Sequence, residues 1–242
     1  MPKRKRTRRR INPGPILLIG ILFVFVAGML YSPLTSLSHV QIVGARSVDQ
    51  ATIESILGDL NGIPWIKVSG RSVEARVMRI EAVDHATYSQ NVFGRGRLVV
   101  SYRVPVARIR SGKPVGLDAT GVMFMTDQLP PDLPVVTRPE SANDLPVTIV
   151  SGFPSAVVAG LAVKARDMAP HEKLSIWFDQ EGSLCLNMGT GLVILGSSDD
   201  LDAKLHSLKE ILDGQPGLLA NLESLNLTDP SRPVMKNKVA RQ

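Results

Sequence analysis

One cysteine in 242 residues, Cys185, leaves no partner for an intramolecular disulfide, so side-chain packing alone must hold the fold together. The motifs of several chemistries are missing as well. The four histidines (His39, His85, His171, His206) are widely separated and none stands in a His-Glu-x-x-His frame, so no metal site is expected. Ser-x-x-Lys, the nucleophile motif of penicillin-binding enzymes, is absent. Gly112-Lys113 is followed by Pro114 and preceded by no glycine at the spacing of a phosphate loop. Gly189, Gly191 and Gly196 have hairpin spacing, not that of a dinucleotide fingerprint. Cys185 lies in an alternating strand pattern with no His and Arg pair near it in sequence, which favours a packed thiol over a sortase-like nucleophile. Asn226-Leu227-Thr228 fits a glycosylation sequon but sits inside a strand pattern. These absences exclude the familiar catalytic frames, and no enzyme activity, cofactor or small-molecule substrate is expected.

A further absence is informative: no Asp, Glu, Lys or Arg occurs between Ile11 and Ala45. Within that stretch, residues 16–31 are aliphatic, Met or Phe at all but Gly20, Gly28 and Tyr31. As a helix, sixteen residues reach about 24 Å, nearly the hydrocarbon thickness of a bilayer. Pro15 suits its start and Pro33 its end. Seven of the first ten residues are cationic (Lys3, Arg4, Lys5, Arg6, Arg8, Arg9, Arg10). Cations beside a span stay on the cytoplasmic side, so a single-pass anchor is expected with the N-terminus inside and the remainder outside. Those seven account for the net charge of +6, because 21 cations remain against 22 anions, and the tail therefore reads as a topology signal with no nucleic-acid partner. A cleaved secretory signal is the rival, supported only by a poor small-residue match at Ser36-Leu37-Ser38.

Beyond the anchor, Val40-Gln41-Ile42-Val43 forms a strand ending at Gly44. Ser47 and Gln50 fit a capping box opening a helix with Ile53, Ile56, Leu57 and Leu60 on one face, stopped by Asn61-Gly62. Val73, Val77 and Ile80 define a second helix; residues 83–90 and 98–104 are strands around the Phe93-Gly94-Arg95-Gly96 turn. Residues 129–146, with Pro130, Pro131, Pro134, Pro139 and Pro146, read as irregular. Residues 154–168 make a helix, and 184–188 and 192–195 a hairpin. A helix opens at Gly196-Ser197-Ser198 and carries Leu201, Leu205, Leu208, Ile211 and Leu212; residues 224–228 form a closing strand before Pro230.

This order resembles the FtsQ/DivIB family of bacterial cell-division proteins. The resemblance lies in the Val40-Gln41-Ile42-Val43-Gly44 opening, Gly62-Ile63-Pro64-Trp65, and the Arg103-Val104-Pro105-Val106-Ala107 end of the first domain. Tyr102 departs from it, standing where the family often has Glu. Further on, Val115-Gly116-Leu117-Asp118 and Gly121-Val122-Met123-Phe124 resemble the family's hairpin with an Asp and a Gly in its turn, followed by Leu145-Pro146-Val147 with Ser151-Gly152, then Leu195-Gly196 and Lys204-Leu205. The resemblance implies an α+β chain: a basic cytoplasmic tail over 1–15, a transmembrane helix over 16–33, a β-α-α-β-β POTRA domain over 38–107, a β-rich α+β domain over 108–230, and a basic tail over 231–242. It also implies a divisome scaffold at the septum of the cytoplasmic membrane, with FtsB/FtsL-like single-span partners.

With no reaction to place, the useful surface is a sheet edge, where a partner's extended segment can complete unpaired amides and carbonyls. The closing strand, Ser224, Leu225, Asn226, Leu227 and Thr228, is the candidate edge, and Arg103 and Pro105 are further candidate partner-binding residues. Leu225 and Leu227 read equally well as core, leaving Asn226 and the tail after Pro230 to make exposed contacts. A membrane-anchored cell-wall enzyme and a POTRA-type transport or assembly component are the alternatives.

Overall fold

The computed structural model describes residues 13–31, 36–37, 39–91, 93–137, 154–189 and 191–238. The basic stretch at 3–10, Leu145-Pro146-Val147, Ser151-Gly152 and Thr190 lie outside the described residues. The chain divides into two compact units, Met1–Tyr102 and Arg103–Gln242.

Helix α1, Pro13–Tyr31, has 19 residues, a length of about 28 Å. Its described large apolar side chains, Leu17 to Phe25, are all exposed, and they cover only part of the helix. Among the described residues no helix is long and apolar enough to cross a membrane.

The rest of the first unit is a three-stranded sheet with two helices on one face. Its strands are β1 (His39–Val43), β2 (Val83–Gln90) and β3 (Arg95–Tyr102), in the order β1-β3-β2. β1 runs parallel and β2 antiparallel to β3. Period-two alternation decides the faces: Gly96, Leu98 and Val100 of β3 are buried while Arg95, Arg97, Val99 and Ser101 are exposed. Helices α2 (Ser47–Gly58) and α3 (Gly70–Val77) place Ile53, Leu57, Val73 and Val77 in one cluster with Ala86, Tyr88, Leu98 and Val100. A short 3-10 turn, Trp65–Lys67, joins the helices. It is pinned to β2 by Gln90, whose side-chain amide donates to the carbonyls of Trp65 at 2.8 Å and Val68 at 3.2 Å.

The expected capping box does not form. Ser47 is already helical, Arg46 is the N-cap without a side-chain capping hydrogen bond, and Gln50 donates to Glu54 instead. What secures this helix start is Tyr102: its hydroxyl accepts the Arg46 amide at 3.0 Å, and the Arg46 guanidinium lies 4.1 Å from its ring centroid. The departure at position 102 is thus a contact across 56 residues that local spacing does not reveal. Strand β3 also begins three residues earlier than the expected 98 and ends at Tyr102, because it pairs through Gly96 and Arg97 with the end of β2.

Gly44 turns the chain from β1 toward α2 at φ +84°, and a Cβ there would run into the backbone carbonyl oxygen of Val100. Gly44→Ala is expected to destabilise this unit by about 2–3 kcal/mol, combining left-handed strain with a clash against rigid backbone. Gly58→Ala, where a Cβ would meet nothing within 4 Å, serves as the control in urea unfolding. Equal midpoints for the two variants would refute the expectation.

The second unit is built on a nine-stranded sheet in the order β12-β11-β10-β9-β8-β7-β4-β5-β6. In chain order come β4 (Pro105–Ile109), β5 (Val115–Asp118), β6 (Met123–Met125) and β7 (Val135–Thr137). Helix α4 (Ser155–Met168), β8 (Leu174–Phe178), β9 (Leu184–Met188) and β10 (Gly191–Gly196) follow, then α5 (Leu201–Gly214), α6 (Leu218–Asn221), β11 (Leu222–Asn226) and β12 (Val234–Asn237). The parallel pairs β7/β8 and β10/β11 are bridged by α4 and α5, whose apolar faces cover the sheet. Val158, Leu161, Ala162, Leu205 and Leu208 join Leu117, Val136, Ile176, Leu186, Val193 and Leu225 in one core.

Several boundaries differ from those expected. Ala107, expected to close the first domain, lies inside β4, which belongs to the second unit's sheet. The proline-rich zone holds strand β7: Pro134 cannot donate, yet its carbonyl accepts the Arg108 amide at 2.8 Å, and Val136 accepts from Arg110 at 2.7 Å. The helix expected to open at Gly196 begins at Leu201, after Gly196 has turned at φ +69° against Thr228.

Candidate functional site

Arg103 and Pro105 are held in the architecture of the second unit. The Arg103 guanidinium donates to Asp118 Oδ2 at 2.6 Å, with the Asp118 side chain 8% exposed. Asp118 Oδ1 accepts from the Thr120 amide at 2.9 Å, the Thr120 hydroxyl at 2.7 Å and the Val122 amide at 2.8 Å. One carboxylate therefore organises the β5–β6 turn and ties it to the residues entering β4. Burial acts to raise its pKa, but the bonds from Thr120, Arg103 and the two amides outweigh burial and hold it below the usual carboxylate value. Pro105 packs where a Cβ on Gly116 would come within 3.1 Å of its ring, and Ala107 is fully buried. Arg-x-Pro-x-Ala is thus a structural clamp.

The closing strand is not an edge. β11 is bonded to β10 on one side and to β12 on the other, with Leu225 opposite Val193 and Met235, and Asn226 opposite Ile194 and Val234. Leu225 and Leu227 are core, fully buried; Ser224 and Asn226 are partly buried, and Thr228 is exposed. Asn226 also turns its side-chain oxygen back to accept the Thr228 amide at 2.9 Å, shaping the exit from the strand. Nor do the two groups of candidates meet: β11 and β4 stand five strand spacings apart in the sheet, about 24 Å.

The edge at that end of the sheet is β12, in the segment expected to be a basic tail. All four of its residues are exposed, Val234 at 63% and Met235 at 45%. The Lys238 amide donates to Asn221 O at 3.2 Å, so by strand alternation the amides of Val234 and Lys236 face β11 while those of Met235 and Asn237 point outward. Lys236 is paired with Glu223 at 2.8 Å, and the Lys238 ammonium donates to Ala220 O at 2.7 Å. With Arg232, these side chains give the edge a basic rim. The arrangement suits an added antiparallel or parallel strand whose side chains alternate apolar and acidic. A sequence signal for β12 does exist, Val234-Met235 soon after the Pro230/Pro233 pair, but four residues carry little periodicity.

The residues weighed for catalysis have ordinary surroundings. The buried Cys185 thiol has its pKa pushed up to about 11 by burial and by nearby Asp179, the reverse of nucleophile activation. His206 lies exposed beside Glu210, 3.3 Å away one helical turn on. Among the described residues, no group of three His, Cys, Asp or Glu side chains is placed to hold a metal ion.

Among the described residues there are two sheets with open edges and no assembled reactive cluster, which leaves the family comparison to decide the class. Residues 35–93 match the POTRA domain, FtsQ-type. The first unit therefore carries an FtsQ-type POTRA domain, and the resemblance to the FtsQ/DivIB family read from its motifs holds over that segment. The matched POTRA residues include β1, α2, α3 and β2, the elements that bury Ile53, Val73, Val77 and Ala86 together. No curated protein matches the chain. The chain is mixed α+β, a POTRA domain followed by a β-rich part, and an FtsQ-type POTRA domain points to a scaffold role in cell division among interacting division proteins.

Proposed function

We propose that this protein is a non-enzymatic scaffold of the bacterial division machinery, held in the cytoplasmic membrane by a single helix with its N-terminus inside and both units outside. The FtsQ-type POTRA match carries the division role. The charge asymmetry around residues 16–31 supports the topology. The open β12 edge supplies the means of recruitment: FtsB/FtsL-like single-span division proteins add a strand to it at the septum.

Depletion in the native host, followed by microscopy, tests this reading. Filamentous cells with intact envelopes are expected. Lysis would favour a cell-wall enzyme, and outer-surface defects a transport or assembly component. A reporter fused after Gln242 should be active only outside the cytoplasm; activity inside would overturn the topology.

A further inference from the structure

Two exposed apolar side chains in the POTRA domain, Ile66 at 45% and Phe93 at 68%, lie on loops far apart in sequence. Both loops are tied to the same short segment, the one by which the chain enters the domain. Ser36 forms a β-bridge with Pro64. Leu37 donates its amide to Ile63 O at 3.0 Å and accepts the Gly62 amide at 3.1 Å. On the other side, Gly94 packs so tightly on Ser36 that a Cβ there would overlap the Ser36 carbonyl, and its φ of +72° is open only to glycine at low cost. The Asn91 side chain fixes this second loop by accepting the Phe93 and Arg95 amides, each at 3.1 Å.

Only five residue steps separate Tyr31, the last residue of α1, from Ser36, a reach of at most about 17 Å even when fully extended. Subtracting the hydrocarbon from the full bilayer thickness leaves a headgroup layer of about 5–8 Å on each side. If residues 16–31 span the membrane, the Ile66 and Phe93 loops are leashed within reach of the outer leaflet. Their charge suits that position. Residues 60–73 and 85–101 contain Lys67, Arg71, Arg95 and Arg97 and not one Asp or Glu. Trp65, Ile66 and Lys67 in sequence combine an aromatic, an aliphatic and a cationic side chain, the composition that settles at a lipid–water boundary.

We propose that Ile66 and Phe93 insert into the headgroup–acyl boundary of the outer leaflet, with Lys67 and Arg95 on anionic phospholipid headgroups, so that the POTRA domain is docked on the membrane by two loops as well as tethered to it. This rests on the anchoring proposed above and adds a lipid-binding surface to it. Such docking fixes the orientation of the sheet relative to the bilayer, which a tether at one point alone would not.

The test uses the full chain, reconstituted in vesicles of equal phosphatidylcholine and phosphatidylglycerol, with an environment-sensitive dye on Phe93→Cys or Ile66→Cys. The control is Val48→Cys. Val48 is also apolar and 64% exposed, but it lies two residues after Arg46, whose amide is bonded to Tyr102 at the opposite end of β3 from Gly94. The native Cys185 is buried, and the unsubstituted chain treated with dye measures its background. Shallow spin-labelled lipids are expected to quench the dye at 93 and 66 at least about threefold more than at 48, and Arg95→Glu to reduce that quenching in anionic vesicles but not in pure phosphatidylcholine. Equal quenching at 93, 66 and 48 in a chain that resists alkaline extraction would overturn the docking and leave the anchor standing. A chain that washes off would overturn both. Circular dichroism of each variant checks that the fold is intact.

Discussion

Asp118→Ala is expected to destabilise the second unit by about 3 kcal/mol, the lower end of the cost of removing one member of a buried ion pair. The lower end applies because the Arg103 side chain keeps 20% exposure and can recover some hydration. Losing the carboxylate removes the acceptor of four donors at once: the Arg103 guanidinium, the Thr120 hydroxyl and the amides of Thr120 and Val122. Asp118→Asn keeps an acceptor oxygen and should cost less. The same group gives a pH signature. Its folded pKa lies below the ordinary value of 3.8, so its stabilisation is complete above the unfolded-state pKa and is lost as pH falls through the depressed folded value. Urea unfolding of the wild type should therefore lose stability on acidification below about pH 4 more steeply than that of Asp118→Ala. Parallel acid profiles for the two proteins would show that Asp118 does not hold this corner.

Met235→Pro is expected to weaken recruitment severely while leaving the fold nearly unchanged. The Met235 amide points away from β11, so proline removes no bond of the sheet, and edge strands tolerate it. It does remove an outward donor and places a ring where an added strand must lie. Loss of one hydrogen bond with that steric block should weaken partner capture by about tenfold or more, for a stability change under about 1 kcal/mol. Co-purification of the FtsB/FtsL-like proteins, with cell length as the readout, checks the first part; a thermal melt checks the second. Full recovery of partners and normal cell length would rule out β12 as the docking strand. Asn226→Pro makes the internal contrast. Leu227 donates its amide to Ile194 O at 2.8 Å, so by alternation the Asn226 amide faces β12, and proline there breaks the sheet from within. A variant at Asn226 that failed to bind would thus report unfolding, and only Met235 separates docking from stability.

The elements legible in sequence are those whose side chains repeat against a single core. β2 matched its expected bounds because Ala86 and Tyr88 alternate with exposed neighbours. α3 followed from Val73 and Val77, and α4 occupies its expected segment but for the N-cap, Pro154. What stayed hidden depends on distant partners. β7 follows a proline and survives because Pro134 is asked only to accept. Lys204 is 2% exposed, its ammonium reaching the Ser197 carbonyl at 2.9 Å, a burial that no neighbour in sequence announces. The candidate edge was displaced by one strand: Leu225 and Leu227 have the pattern of a closing strand, and nothing local says that four exposed residues after Pro233 return to pair with it.

Taken alone, the order of residues was enough to establish the run of uncharged residues behind a cationic start, the absence of an intramolecular disulfide, and the helix and strand content of the POTRA segment. Each of these is a property of neighbours a few positions apart. Tertiary structure alone decided that Arg103 serves Asp118, that Tyr102 secures the start of α2, and that β12, not β11, is the edge at that end of the sheet. Pairing across a sheet and burial of charge depend on which distant backbone arrives alongside, and that is a consequence of the whole core closing.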